Sequence, residues 1–436
     1  MKTTAEKKAR RLARTQNLAI VFLTLSAFAL FANLPLFGPL SDRSLLELAQ
    51  ERARREGVVA SAAPSGAASL VFPVRMVYTN DFARQGADAL TTLSDEFEHA
   101  GMYLGEAVGS AYGGERVSEA AFLAALRAEG LYFDFTTALP SELLARLLSV
   151  SLSDDAPADV RRILLSPSGA GDALLYAEDG SGSQYRYSTA VSSSSLTDFL
   201  ATRSGSGASF AFQLAPDYGD LAPCTLILSD PAARSTLKAA NALSGNEDEF
   251  LRRAEFNAHT ENRFTESSGT VIVREVSSTL YLRPDGTIEY QGTEAAPGSI
   301  YSVASAIPGE PTLFEAAAAA QNLASTLLGD SLGDAALYLS GAAQKSGGYE
   351  ITFDLMADGT LIRYSDGSHA GVVTVENGCI TAFTFKARSY IGTEDVPLLL
   401  PFAQAAAIAR VWQGAELIAA YVDTGGEDVL PAWIAE

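Results

Sequence analysis

Cysteine is nearly absent from this chain of 436 residues, which has only Cys224 and Cys379. The two are far apart and neither belongs to a CxxC pair. They are compatible equally with one disulfide and with two buried thiols. Neither lies near the N-terminal apolar run, which excludes a lipoprotein anchor. Histidine is as scarce: His99, His259 and His369 stand singly, without metal-ligand spacing. No GxxxxGK[ST] loop is present to cradle a phosphate, and no G-x-S-x-G elbow to present a serine. Charged residues make up 19% of the chain, below the usual quarter. Positive charge is the scarcer sign, and the formal net charge is −21. Six of the basic residues fall in the first fifteen positions against Glu6 alone, so the remainder carries −26. A body so acidic does not bind nucleic acid or an anionic bilayer through charge.

What is abundant is apolar surface. Hydrophobic residues are 47% of the total, enough for packed cores. Leu18 to Leu40 contains no Asp, Glu, Lys or Arg, and only Thr24, Ser26 and Asn33 interrupt it. As a helix it reaches roughly 34 Å, against about 30 Å for a hydrocarbon core. The basic flank before it favours a cytoplasmic N-terminus, with the rest of the chain outside. A cleaved signal ending at Ala27-Phe28-Ala29 is the competing reading. The apolar run continues past Ala29 to Phe37, however, which favours an uncleaved anchor.

The expected organisation is a basic cytoplasmic tail over 1–15, a transmembrane anchor over 16–40, and a stalk and linker over 41–69. Leu45, Leu46, Ala49 and Ala53 have near-helical spacing, and VVASAAPSGAAS is a small-residue linker. Residues 70–235 read as a first α+β domain. Pro73 in its first strand suggests an edge or a bulge. Helical positions follow around 89–108, in two stretches, and Ser118 caps a further helix. LYFDF is a strand, Pro140 opens SELLARLLSV, and RRILLS, ALLYAED and QYRYSTA alternate between Gly/Ser turns. Residues 236–308 and 309–436 repeat one grammar, a helix followed by antiparallel strands, and hint at a duplicated unit. Asp285-Gly286 reads as a two-residue I′ hairpin turn, with further turns at Asp358-Gly359 and Asn377-Gly378. LLLPFAQAAAIARVW is an expected helix, and LIAAYVD and LPAWIAE are terminal strands with Trp433 in the core. The fold class is α+β, built of antiparallel sheets with packed helices.

Candidate chemistry is thin. Ser235-Thr236-Leu237-Lys238 matches the S-x-x-K of penicillin-recognising enzymes, but the S-D-N and K-T-G companions are absent. This leaves a cell-envelope enzyme or wall-binding protein as the alternative function. Without an elbow, the histidines read as structural: His369 at a strand entry, His99 and His259 solvated. Asn246-Glu247-Asp248-Glu249 lacks the alternating ligands of a calcium loop and sits where acids suit a helix N-terminus. No catalytic residue, metal site or cofactor is assigned.

The basic tail, the single apolar helix, the large α+β region and Leu430-Pro431-Ala432-Trp433-Ile434 together resemble the YycH/YycI family. Leu280–Tyr290, Tyr349–Tyr364 and Val372–Tyr390 carry the likeness as well. That family comprises membrane-anchored accessory proteins of the WalK (YycG) sensor histidine kinase in Gram-positive bacteria. The resemblance implies PepSY-like C-terminal domains and a non-enzymatic regulator. Its partners would be a kinase of that type, a paralogous YycH/YycI-like protein and the membrane. Within the anchor, Ala19, Phe22, Ser26, Ala29 and Asn33 recur at spacings of three and four, a stripe of mostly small or polar residues. Such a stripe lets a second helix approach and bond across the gap. The plainer alternative places Asn33 at the outer headgroups and bonds Ser26 to its own helix.

Overall fold

The computed structural model describes residues 70–436 apart from 81–82, 170, 229–232, 276, 293–300 and 308. The chain divides into Met1–Ala60 and Ser61–Glu436, and every described residue belongs to the second unit. The anchor over 16–40 and its stripe, Ala19, Phe22, Ser26, Ala29 and Asn33, lie outside the described residues. Among those described, no helix is long and apolar enough to cross a membrane.

The first layer is a seven-stranded antiparallel sheet. Its strands are β1 (Pro73–Asn80), β2 (Ala83–Thr91), β3 (Tyr112–Val117), β4 (Gly130–Pro140), β5 (Asp159–Ser166), β6 (Asp172–Glu178) and β7 (Gln184–Ser192). Their spatial order is β2-β1-β4-β5-β6-β7-β3. Pro73 opens β1, where a missing N–H costs least, and the register shifts between Val74 and Met76. The bulge is therefore present, but β1 is an interior strand. It is covered on both faces, and the period of two assigns its residues. Val74, Met76 and Tyr78 enter the main core with Phe97, Ala100 and Leu104 of helix α1 (Asp95–Ser110). Val77 enters a second cluster with Phe122, Tyr132 and Phe210. Helix α1 runs unbroken from its Ser94 cap, so the two expected stretches are one, and it begins later than expected because the chain up to Thr91 is paired as β2. Ser118 caps α2 (Glu119–Arg127) by accepting from the Ala121 amide. Two short helices, α3 (Ser141–Leu147) and α4 (Ser193–Ala201), complete this part, with a small ribbon of β8 (Ser209–Phe210) and β9 (Leu226–Ile227).

The remaining strands join in one sheet of thirteen. They are β10 (Leu237–Asn241), β11 (Arg263–Thr265), β12 (Val271–Glu275), β13 (Ser278–Leu282) and β14 (Thr287–Gly292). Next come β15 (Ala335–Lys345), β16 (Gly348–Ala357), β17 (Thr360–Tyr364), β18 (Gly371–Glu376) and β19 (Cys379–Lys386). Last are β20 (Arg388–Gly392), β21 (Leu417–Asp423) and β22 (Asp428–Ala435). The order is β11-β12-β13-β14-β19-β18-β16-β17-β21-β22-β10-β20, with β15 on β16. Segments 236–308 and 309–436 thus interleave: β14 pairs with β19, and β10 with β20 and β22. Helix α5 (Glu247–Arg253) follows β10, and α6 (Leu313–Leu328) precedes β15. A reciprocal capping box of Thr312 and Glu315 opens α6, whose Ala316, Ala320, Leu323 and Leu327 are buried. Asp358-Gly359 and Asn377-Gly378 both have positive φ at each residue, as an I′ turn needs. Asp285-Gly286 differs. Only Gly286 is at positive φ, and the Arg283 amide donates to Thr287 O across a three-residue loop. Pro284 fixes its own φ at the first loop position, and Gly286 takes the positive-φ position at the end of the loop.

A row of charges crosses the first sheet on the face of the second cluster. Arg75 stands opposite Asp134, Asp134 opposite Arg162, and Arg162 opposite Glu178, on adjacent strands β1, β4, β5 and β6. The Arg75 guanidinium lies 2.6 Å from Asp134, and Arg162 bonds to Glu178. Glu416, immediately before β21, reaches over this row. It accepts from Arg75, from Arg161 at 2.5 Å and from Arg162 at 2.7 Å, with only 3% of its side chain exposed. Among the described residues three guanidiniums thus meet three carboxylates, with Arg161 alone of the six partly exposed, and the two sheets are joined through them. Burial alone would raise the Asp134 carboxyl. The Arg75, Arg162 and Arg161 charges outweigh it and hold that group well below the usual range.

Candidate functional site

Helix α7 (Phe402–Ala409) follows Leu398-Leu399-Leu400-Pro401, and Pro401 starts it as a fixed-φ residue can. Its small face, Ala405, Ala406 and Ala409, packs with Leu417 of β21. Its other face has no cover. Ile408 is 58% exposed, Val411 77%, Trp412 56% and Leu398 96%. Between Leu398, Ile408 and Trp412 on one side and Pro431 to Ala435 of β22 on the other lies an open apolar groove of about 690 Å³. Trp433 forms one wall. Its Nε1 donates to Leu400 O at 2.7 Å, and its ring meets Phe402 edge-on at 5.2 Å. Trp433, expected in the core, is therefore only partly buried. Strand neighbours cover β22 on one edge only beyond Val429, so the indole is half-buried and Leu430 half-exposed. Glu416, tied into the first sheet, anchors the strand that supplies Leu417 to the floor. A contiguous exposed apolar surface of this kind marks a contact site.

The sequence reading missed the groove, although a signal was there. Three leucines and a proline precede a helix whose C-terminal flank, Val411-Trp412, has no partner in its own periodicity. The buried charge row was signalled too, by charged residues set among apolar ones in strands: one in VRMVY, one in YFDF and two in RRILL.

The other candidates do not assemble into a site. Lys238 is on β10, and Ser235 lies before that strand begins, so no helical turn holds the two together. Lys238 pairs with Asp428 at 2.6 Å, on the surface. A Ser–Lys pair needs the helix that would place i and i+3 together. His99 Nδ1 contacts Asp95 O in exposed surroundings, and His259 is exposed. His369 precedes β18 and sits 3.1 Å from Asp354, whose hydrogen bond raises the imidazole's pKa. Glu247, Asp248 and Glu249 occupy the first turn of α5, where Glu249 pairs with Arg252 and Arg253 and Asp248 with Arg263. Among the described residues no three metal-ligating side chains gather. Cys224 and Cys379 are both free thiols, and burial pushes Cys224 up to about 12.

No protein-family model and no curated protein matches the chain. Among solved structures, the fold is similar to that in the crystal structure of YycH from Bacillus subtilis. The match has a TM-score of 0.53 at 12% identity and covers 85% of this chain and 95% of that one, so the likeness drawn from the sequence holds at the level of fold.

Proposed function

We propose that the chain is a non-enzymatic accessory regulator of a sensor histidine kinase of the WalK (YycG) type. The observation that carries this reading is the YycH-like fold over 85% of the chain. The N-terminal organisation adds support: a basic tail, then an apolar span of anchor length. In this reading the chain crosses the cell membrane once through 16–40, with residues 41–436 outside. The stripe of Ala19, Phe22, Ser26, Ala29 and Asn33 meets a membrane helix of the kinase, and the groove beside Trp412 gives the ectodomain a second contact surface. A paralogous YycH/YycI-like protein is the further partner.

Co-purification of the full chain with such a kinase tests the reading. Ser26→Leu with Asn33→Leu should abolish capture while insertion is retained. Exchanging Leu23 and Phe31 for other large apolar residues should leave it intact. Failure of the unaltered chain to capture the kinase would refute the proposal. Labelling by a fluorescent penicillin that is lost in Ser235→Ala would put an envelope enzyme in its place.

A further inference from the structure

Among the described residues, the outer edge of β22 is open where it borders the groove. Backbone bonds run both ways between Glu416 and Glu436. In an antiparallel ladder such pairs recur at every second residue. Ile434 and Ala432, opposite Ile418 and Ala420, therefore bond to β21. The amides and carbonyls of Trp433 and Ala435 turn the other way, as does the carbonyl of Pro431. Strand β10 meets β22 only at Val429 and Asp428. Among the described residues no backbone group pairs with the outward groups of Trp433 and Ala435. Pro431 occupies a position that an edge strand tolerates.

We propose that this edge receives a strand from another polypeptide, an extended segment with apolar residues at alternate positions and lysine or arginine at its flanks. Strand addition needs outward backbone groups for affinity and pockets for alternate side chains. Both occur here, since the groove of about 690 Å³ runs along the open edge. Charge selects the flanks. Arg410 is paired with Asp220, Lys238 with Asp428 and Arg363 with Glu436. Glu394 and Asp395, which lead into Leu398, and Glu427, which leads into β22, add carboxylates with no cation paired to them among the described residues. A second copy of the chain would bring the same acidic rim to the same edge, and like charges oppose that pairing. This inference goes beyond the regulatory reading and does not need it, because kinase capture and strand binding are separate measurements.

The chain's two tryptophans, Trp412 and Trp433, both line the groove. Intrinsic fluorescence of the purified full-length protein therefore reports occupancy directly. The probe is the acetylated peptide Lys-Lys-Val-Thr-Val-Thr-Val-Lys-Lys. Its titration should shift the emission to the blue and saturate. N-methylation at alternate amides, in each of the two phases, separates strand pairing from simple apolar contact. One phase should weaken binding at least tenfold and the other by less than twofold. Exchanging the four lysines for glutamate should also weaken it at least tenfold. Ala435→Pro, which removes an outward N–H, should do the same with an unchanged melting temperature. The peptide comparison uses the unaltered protein and stands even if that variant does not fold. Equal binding by both methylated phases, equal binding by the glutamate peptide, or no spectral shift with any peptide would overturn the proposal. So would a concentration-dependent dimer that Ala435→Pro abolishes, which would make a second copy the occupant.

Discussion

Replacing Glu416 with Gln should unfold the joint between the two sheets more than any surface exchange of charge. The side chain keeps its shape but loses its charge, so that among the described residues Asp134 and Glu178 are the carboxylates left facing Arg75, Arg161 and Arg162. Arg75, Arg162, Asp134 and Glu178 all have side chains less than a tenth exposed, so little water is at hand to solvate the surplus. Removing one partner of a buried ion pair costs about 3–5 kcal/mol, because it leaves a desolvated charge behind. For a body of about 370 residues the unfolding entropy near the midpoint is about 0.8 kcal/mol per kelvin, so about 4 kcal/mol lowers Tm by about 5 °C. Lys238→Gln is the control. Its pair with Asp428 is more than half exposed on both sides, and removing it should shift Tm by well under 1 °C. Arg75→Met combined with Glu416→Leu restores the balance of charge and should recover most of the loss. Circular dichroism melts of the three variants measure all of this. A Glu416→Gln melt within 1 °C of the unaltered protein would refute the claim that the row is closed and dry. Acid should find the same row. The Asp134 carboxyl is depressed in the fold, so its contribution is complete above the unfolded value of about 3.9 and is lost as pH falls through the lower folded value.

Thr312→Ala removes one half of the box that opens α6 and should cost about 1 kcal/mol in urea melts, as should Glu315→Ala if the two act as a pair. At Gly348 a Cβ would stand 1.8 Å from Val375 O across the β16–β18 ladder, so Gly348→Ala should cost about 3 kcal/mol or more. Neighbouring Gly347 has φ +92° and open space around it, so Gly347→Ala carries only backbone strain, about 1–2 kcal/mol, and melts of both variants should rank them so. His369 is raised by its hydrogen bond to Asp354. The stabilisation it provides is therefore full below about 6.5 and fades as pH rises through the folded value, a slope that His369→Asn should remove from urea midpoints taken between pH 5.5 and 8.

Local chemistry was legible from the letters alone. Ser118 caps a helix because a short side-chain oxygen before an apolar-periodic run has a free amide to satisfy. Asp358-Gly359 and Asn377-Gly378 turn because two successive residues there accept positive φ. RRILLS, ALLYAED and QYRYSTA were readable as strands because alternation is written within each segment. Partnership across the chain was not legible. Arg75 finds Asp134 fifty-nine residues away and Glu416 at a separation of 341, and nothing in the neighbourhood of any of the three states the register that joins them. Trp433 looked like a core residue because its strand alternates. Whether it is covered depends on which strand lies beside β22, and β10 stops pairing at Val429. Periodicity and capping are properties of a few consecutive residues. Sheet order, register and the position of an open edge depend on loops closing over tens to hundreds of residues, and so the buried charge row and the groove were decided only when the two sheets packed.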